Sequence, residues 1–153
     1  MKNQIMPELD ELYKEVILEH YRHPHGRIPL QRIDFKADGV NPLCGDEVIL
    51  AVQVNKQNRI ERVHLEGHGC SISVASGSIL ASLLEGKTLD EAKEISEYFK
   101  NIMRDKVKNS DLEIGDLEVL TGVKKFPVRV KCALLPWTTL DMALTGNEHI
   151  EIS

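Results

Sequence analysis

Val48-Ile49-Leu50-Ala51-Val52-Gln53-Val54-Asn55-Lys56-Gln57-Asn58-Arg59-Ile60-Glu61-Arg62-Val63-His64-Leu65-Glu66 is the stretch that decides the fold. Val48, Leu50, Val52 and Val54 alternate with Ile49, Ala51 and Gln53, a period of two that predicts a strand buried mainly on one face. The polar run Asn55 to Asn58 predicts a turn, and Arg59 to Glu66 a second strand, so the pair is expected as an antiparallel hairpin. Upstream, residues 27–43 read as a loop ending in the Asn41-Pro42 turn, with only a weak strand signal ahead of Cys44.

Helical patterns flank the hairpin. Leu9, Leu12, Val16 and Ile17 recur with helical period from Pro7 to about Tyr21, with Pro7 suited to the first helical position and Pro24 and Gly26 as the stop. Cys70 heads a small-residue run to Glu85, with Ile72, Ala75, Ile79, Leu80, Leu83 and Leu84 at helical spacing and Gly86 ending it. Thr88-Leu89-Asp90-Glu91 is a capping-box pattern for the next helix, with Ala92, Ile95 and Phe99 on one face. A polar segment, 104–110, precedes a short helix near Asp116 to Leu120. Because proline is tolerated in a first turn but costs about 3 kcal/mol inside a helix, Pro136 predicts that the last helix starts near Leu135, leaving Cys132 just before it. The expected fold class is α+β: one domain over residues 1–153, a small antiparallel β-sheet packed by helices on one side.

Three cysteines are present, in Asn41-Pro42-Leu43-Cys44-Gly45-Asp46, Gly67-His68-Gly69-Cys70-Ser71-Ile72-Ser73 and Arg129-Val130-Lys131-Cys132. Glycine beside Cys44 and Cys70 lets the backbone come close to whatever the sulfur holds. Three thiolates and the Asp46 carboxylate make the four-ligand set that a tetrahedral metal such as zinc takes. The competing reading is three unrelated buried thiols, since free cysteine behaves as a small hydrophobe. Cys70, at a predicted helix N-terminus, sits where free N–H groups and the helix dipole favour a thiolate.

Composition narrows the classes. The 153 residues are 42% hydrophobic and 28% charged, with a formal net charge of −5, which argues against nucleic acid as a partner. No apolar run approaches the ~18 residues of a membrane span, so no membrane partner and a cytoplasmic location are expected. An odd cysteine count in a reducing compartment suits metal or redox chemistry better than a disulfide framework.

With these contexts laid out, the chain resembles the NifU/IscU-like family of iron–sulfur cluster assembly proteins. Asn-Pro-Leu-Cys-Gly-Asp at 41–46, Gly-His-Gly-Cys-Ser-Ile-Ser-Val-Ala-Ser at 67–76 and Arg-Val-Lys-Cys-Ala-Leu-Leu-Pro-Trp at 129–137 carry the resemblance, which spans nearly the whole chain. Within the family it looks like the SufU branch. Lys131 stands before Cys132 where the IscU branch has histidine, Phe126-Pro127-Val128-Arg129 replaces that branch's Leu-Pro-Pro-Val-Lys segment, and the interval from Cys70 to Cys132 is longer. Pro136 departs from the small residue more usual among relatives.

The resemblance implies a SufE/NifU-like fold and a single NifU N-terminal/IscU-like domain. It implies Zn2+ held by Cys44, Asp46, Cys70 and Cys132, and a sulfurtransferase-like role. Persulfide sulfur would come from a cysteine desulfurase of SufS type and pass to a downstream cluster scaffold or sulfur acceptor. Transfer requires a zinc ligand to leave; Cys44, on its glycine-flanked loop, is the expected sulfur acceptor, with Asp46 holding the metal and Arg129 contacting the partner or stabilising the new thiolate. Two further readings stay open: a scaffold holding a transient [2Fe–2S] cluster on the same residues, and a purely structural zinc domain.

Other residues have plainer readings. His20, His23 and His25 are expected at a solvated helix end, and His68 is expected to point away from the metal set. Trp137 is expected in the core under the last helix. The charge-rich stretch 105–118 is read as solvated surface.

Overall fold

The computed structural model describes residues 11–106, 112–146 and 149–151. The elements run α1 (Glu11–Arg22), β1 (Phe35–Asn41), β2 (Asp46–Val54), β3 (Ile60–His68), α2 (Ser71–Leu84), α3 (Leu89–Met103), α4 (Leu117–Leu120), a 3-10 turn (Thr121–Lys125), α5 (Pro127–Leu144) and β4 (His149–Glu151). Pro7 and Leu9, which the sequence placed in the first helix, lie outside the described residues, as does the stretch 107–111.

The hairpin forms as its alternation predicts. Val52 faces Val63 and Leu50 faces Leu65 across the antiparallel β2–β3 ladder. The strand order is β3-β2-β1-β4. Residues 27–43 are not all loop: Phe35 to Asn41 form β1, paired antiparallel to β2 from Phe35↔Val52 to Asn41↔Asp46. Its apolar pattern is faint because the inward positions are Ala37, Gly39 and Asn41, and α5 packs against this small-residue strand. β4 adds a short parallel pairing to β1, so the antiparallel sheet expected from sequence carries one parallel edge strand.

One face of the sheet meets the helices. Val48, Leu50, Val52, Val63 and Leu65 bury against Ile72, Ala75, Ile79, Leu80, Leu84, Trp137 and Leu140. α2 is buried nearly all round, which suits its small residues and marks it as the central helix, against α1, α5 and β3. Residues 26–34 cross to the opposite face. The Leu65 N–H donates to the Gly26 carbonyl (2.8 Å), the Gln31 N–H to Gln53 Oε1 (2.9 Å), and the Asp34 N–H to the Val52 carbonyl (2.9 Å).

Two helix readings need correction. α5 begins at Pro127, eight residues before the expected start near Leu135, so Pro136 lies inside the helix and Cys132 within it rather than ahead of it. The proline that takes the first helical position is Pro127. At Pro136 the missing N–H leaves the Cys132 carbonyl without its intrahelical donor, and one residue on the Ser76 hydroxyl donates to the Ala133 carbonyl (2.6 Å). In α1 Leu12 is exposed, at 67%, while Ile17 and His20 are buried. His20 is therefore not a solvated end: its ring nitrogens bond Ser78 Oγ (2.7 Å) and Asp116 Oδ2 (2.8 Å). That bond also corrects the reading of 105–118 as plain surface, since Ile114 and Leu117 beside Asp116 are buried. The Thr88–Glu91 capping box forms in both directions, at 3.0 and 2.9 Å. Trp137 is fully buried, its ring 5.7 Å from that of Phe99.

Candidate metal centre

The end of the inner sheet face turns polar. Asn41 and Asp46 are directly paired across β1 and β2, point inward and are buried. Burying an amide and a carboxylate side by side is costly unless both are bonded, and their partners are Leu43, Cys44 and Cys70. Between them runs the tight turn that carries Cys44. The Asn41 carbonyl accepts from the N–H groups of Cys44 (3.2 Å) and Gly45 (2.9 Å), and Gly45 supplies the positive φ of 75° that the turn needs.

Asp46 opens β2 and reaches α2. Its Oδ1 accepts from the Cys70 N–H at 2.9 Å, and its Oδ2 lies 3.8 Å from Cys70 Sγ. This approach depends on Gly69, because a Cβ there would fall 2.7 Å from Asp46 Oδ1. Cys70 is the residue immediately before α2, the helix N-terminus expected from sequence. Cys132 projects from the second turn of α5, fully buried, its Sγ 3.5 Å from Cys44 Sγ and 3.8 Å from the Val128 carbonyl.

The structure thus brings three of the four sequence-predicted metal residues, Cys44, Asp46 and Cys132, to one point, with Cys70 beside them. Ligand atoms of Cys44, Asp46 and Cys132 lie within 4.8 Å of one another, and Cys70 adjoins them through Asp46. A tetrahedron with metal–sulfur bonds of ~2.3 Å has edges of about 3.8 Å. The sulfur–sulfur and sulfur–oxygen separations of 3.5 and 3.8 Å match that edge, and three sulfurs with one carboxylate oxygen suit zinc. The residues present fit the metal.

Without a metal the thiols share protons. The Cys132 S–H, as donor to the Cys70 sulfur, is the main cause that lowers the Cys70 thiol to about 6; burial opposes it and the Ser73 N–H assists. Cys132 is pushed up in turn, first by that hydrogen bond and then by burial. The pair therefore gives up its first proton more readily than a free thiol and its second less readily.

An open cleft leads to the thiols, lined by Cys44, Cys70, Phe126, Pro127, Val128 and Arg129. Arg129 lies in the first turn of α5, at the cleft wall rather than among the four. Leu43 and Val128 stand 72% and 63% exposed beside it. His68 points away as expected, its side chain 74% exposed and its Nε2 3.5 Å from Glu47 Oε1. Sequence reasoning missed Asn41, read only as a turn residue; the signal was a polar side chain at an inward register position opposite Asp46.

The sequence pattern of the NifU-like N-terminal domain matches residues 12–133. The chain is 37% identical over 140 residues to the zinc-dependent sulfurtransferase SufU of Bacillus subtilis (strain 168), covering 92% of this chain and 94% of that one. It is 33% identical over 146 residues to the iron–sulfur cluster assembly scaffold protein IscU of Streptococcus pyogenes serotype M1, covering 95% and 91%. The crystal structure of the SUF-system protein FiSufU from Fervidobacterium islandicum AW-1 superposes with a TM-score of 0.75 at 37% identity, over 85% of this chain and 94% of that chain. A NifU-like protein from Brucella abortus shares the fold, with a TM-score of 0.78 at 20% identity over 89% and 94% of the two chains.

Proposed function

This chain belongs to the family of NifU-like N-terminal domains, and we propose that within it residues 1–153 act as one domain of SufU type, a zinc-dependent sulfur acceptor in iron–sulfur cluster assembly. One observation carries the reading: ligand atoms of Cys44, Asp46 and Cys132 within 4.8 Å of one another, with Cys70 Sγ 3.8 Å from Asp46 Oδ2, at the foot of an open cleft. Zinc bound by Cys44, Asp46, Cys70 and Cys132 keeps these sulfurs deprotonated near neutral pH. The sulfur donor is the persulfide of a cysteine desulfurase, and the sulfur passes on to a cluster scaffold or another acceptor. Such thiol chemistry belongs in a reducing compartment, which we take to be the cytoplasm.

Cys44 is the acceptor in this reading. It is half-buried on a short turn at the cleft, whereas Cys132 is fixed inside α5 and Cys70 is tied by its N–H to Asp46. The Cys44 thiolate attacks the outer sulfur of the desulfurase's S–SH group. A new S–S bond forms at Cys44, the old one breaks, and the desulfurase cysteine leaves as a thiolate; the proton stays on the transferred sulfur, so charge and atoms balance. Arg129, on the cleft wall, supplies a fixed positive charge that favours the anionic sulfurs as they exchange.

The test is desulfurase turnover of cysteine in the presence of each variant. Cys44→Ser is expected to stay folded, keep most of its zinc and lose all stimulation, whereas Asp46→Ala loses zinc and stimulation together. Full stimulation by Cys44→Ser overturns the acceptor assignment, and an unfolded Cys44→Ser protein favours a purely structural zinc domain. The second reading, a scaffold holding a transient [2Fe–2S] cluster on the same residues, is favoured by the relatives named as scaffolds. It predicts a visible-absorbing chromophore with substoichiometric zinc in anaerobically purified protein.

A further inference from the structure

Asn41 is buried at 0% exposure, and its side-chain hydrogen bonds run to the Cys44 turn. Its carbonyl holds the N–H groups of Cys44 and Gly45, its Oδ1 accepts from the Leu43 N–H at 3.2 Å, and its Nδ2 donates to Cys44 Sγ at 3.7 Å. A neutral thiol is a weak acceptor, so the buried amide is poorly compensated when Cys44 is protonated. It is well compensated when that sulfur carries negative charge.

We propose that Asn41 is the positioning residue of Cys44: its amide is a fixed N–H donor to that sulfur and sets how readily this one sulfur leaves the shared set. The inference rests on the reading of the four residues as a metal centre. A donor aimed at a metal-bound thiolate draws electron density from the sulfur and weakens its hold on the metal, while compensating the same charge once the sulfur is free. Both effects favour release. Cys70 and Cys132 stand at or within helices that fix their backbone. Cys44 is held by a turn whose hydrogen bonds return to Asn41, so the amide also guides the sulfur back into place.

The direct test uses the full chain loaded with cadmium-113. Scalar coupling to the metal is expected from the Cys44 Hβ protons and, through the sulfur, from one Asn41 side-chain amide proton. In the cobalt-substituted protein, Asn41→Ser keeps an oxygen acceptor for the Leu43 N–H but is too short to reach the sulfur. Its thiolate-to-cobalt absorption is expected to move to longer wavelength, and displacement of a thiolate by added imidazole to need about threefold to tenfold more imidazole. Coupling from Cys44 without coupling from Asn41, or an Asn41→Ser protein with unchanged absorption and imidazole titration, overturns the proposal and leaves the metal centre standing. No coupling from Cys44 overturns both. The cadmium measurement needs no variant, so it decides the matter even if Asn41→Ser fails to fold.

Discussion

A methyl group on Gly69 would sit 2.7 Å from Asp46 Oδ1, so this glycine is what lets the carboxylate lie against the head of α2. Gly69→Ala is expected to displace Asp46, break its bond to the Cys70 N–H and leave zinc well below about one per chain, with helix content unchanged; metal analysis beside circular dichroism checks this. Gly45, by contrast, has positive φ and an open Cβ position, so substitution there costs only backbone strain. In metal-free protein the thiols should differ sharply. The thiolate is the nucleophile, and Cys70 is lowered to about 6. Its alkylation by iodoacetamide should therefore be near maximal at pH 7 and fall as the pH drops through about 6, with Cys132 modified last; peptide mapping across pH reads the order. The four centre residues were legible because glycine, aspartate and cysteine stood in short characteristic contexts. His20 was not, because its partners Ser78 and Asp116 lie 58 and 96 residues away.

α3 begins where its sequence says it does, since the capping box is local and satisfies backbone donors within four residues. Thr88→Ala is expected to cost about 1 kcal/mol of stability, measured by urea denaturation, with the centre unaffected. α5 shows the opposite case. A local rule puts Pro136 at a helix start, yet Cys132, Ala133, Leu134, Leu135, Trp137 and Leu140 are all buried around it. Burying several large side chains, each worth about 1.5–3 kcal/mol, outweighs the cost of one proline. β1 gave only a weak signal for a related reason: Ala37, Gly39 and Asn41 make no apolar alternation, and the strand exists through its register with β2. Periodicity reveals elements that carry their own hydrophobic face, not those defined by a neighbour.

The candidate centre joins the β1–β2 turn, the start of β2, the head of α2 and the second turn of α5. Metal bound there ties the sheet to its two main helices, and its binding energy is folding energy, because the unfolded chain has no formed site. Chelation is expected to lower the melting temperature by many degrees; an unchanged curve after verified zinc removal counts against this coupling. Among the described residues no helix is long and apolar enough to cross a membrane. The outer edge of β3 is occupied at two points, where the Ile60 N–H donates to the Lys87 carbonyl and the Leu65 N–H to the Gly26 carbonyl, each at 2.8 Å. On the other side β4 covers β1 from Asp38 to Val40. With one edge partly occupied and the other a strand of three residues, the sheet is a poor template for strand addition, either by an extended peptide or by another copy in an aggregate. Protein contacts must then form through side chains and turns. That favours brief, reversible docking over backbone-zipped complexes.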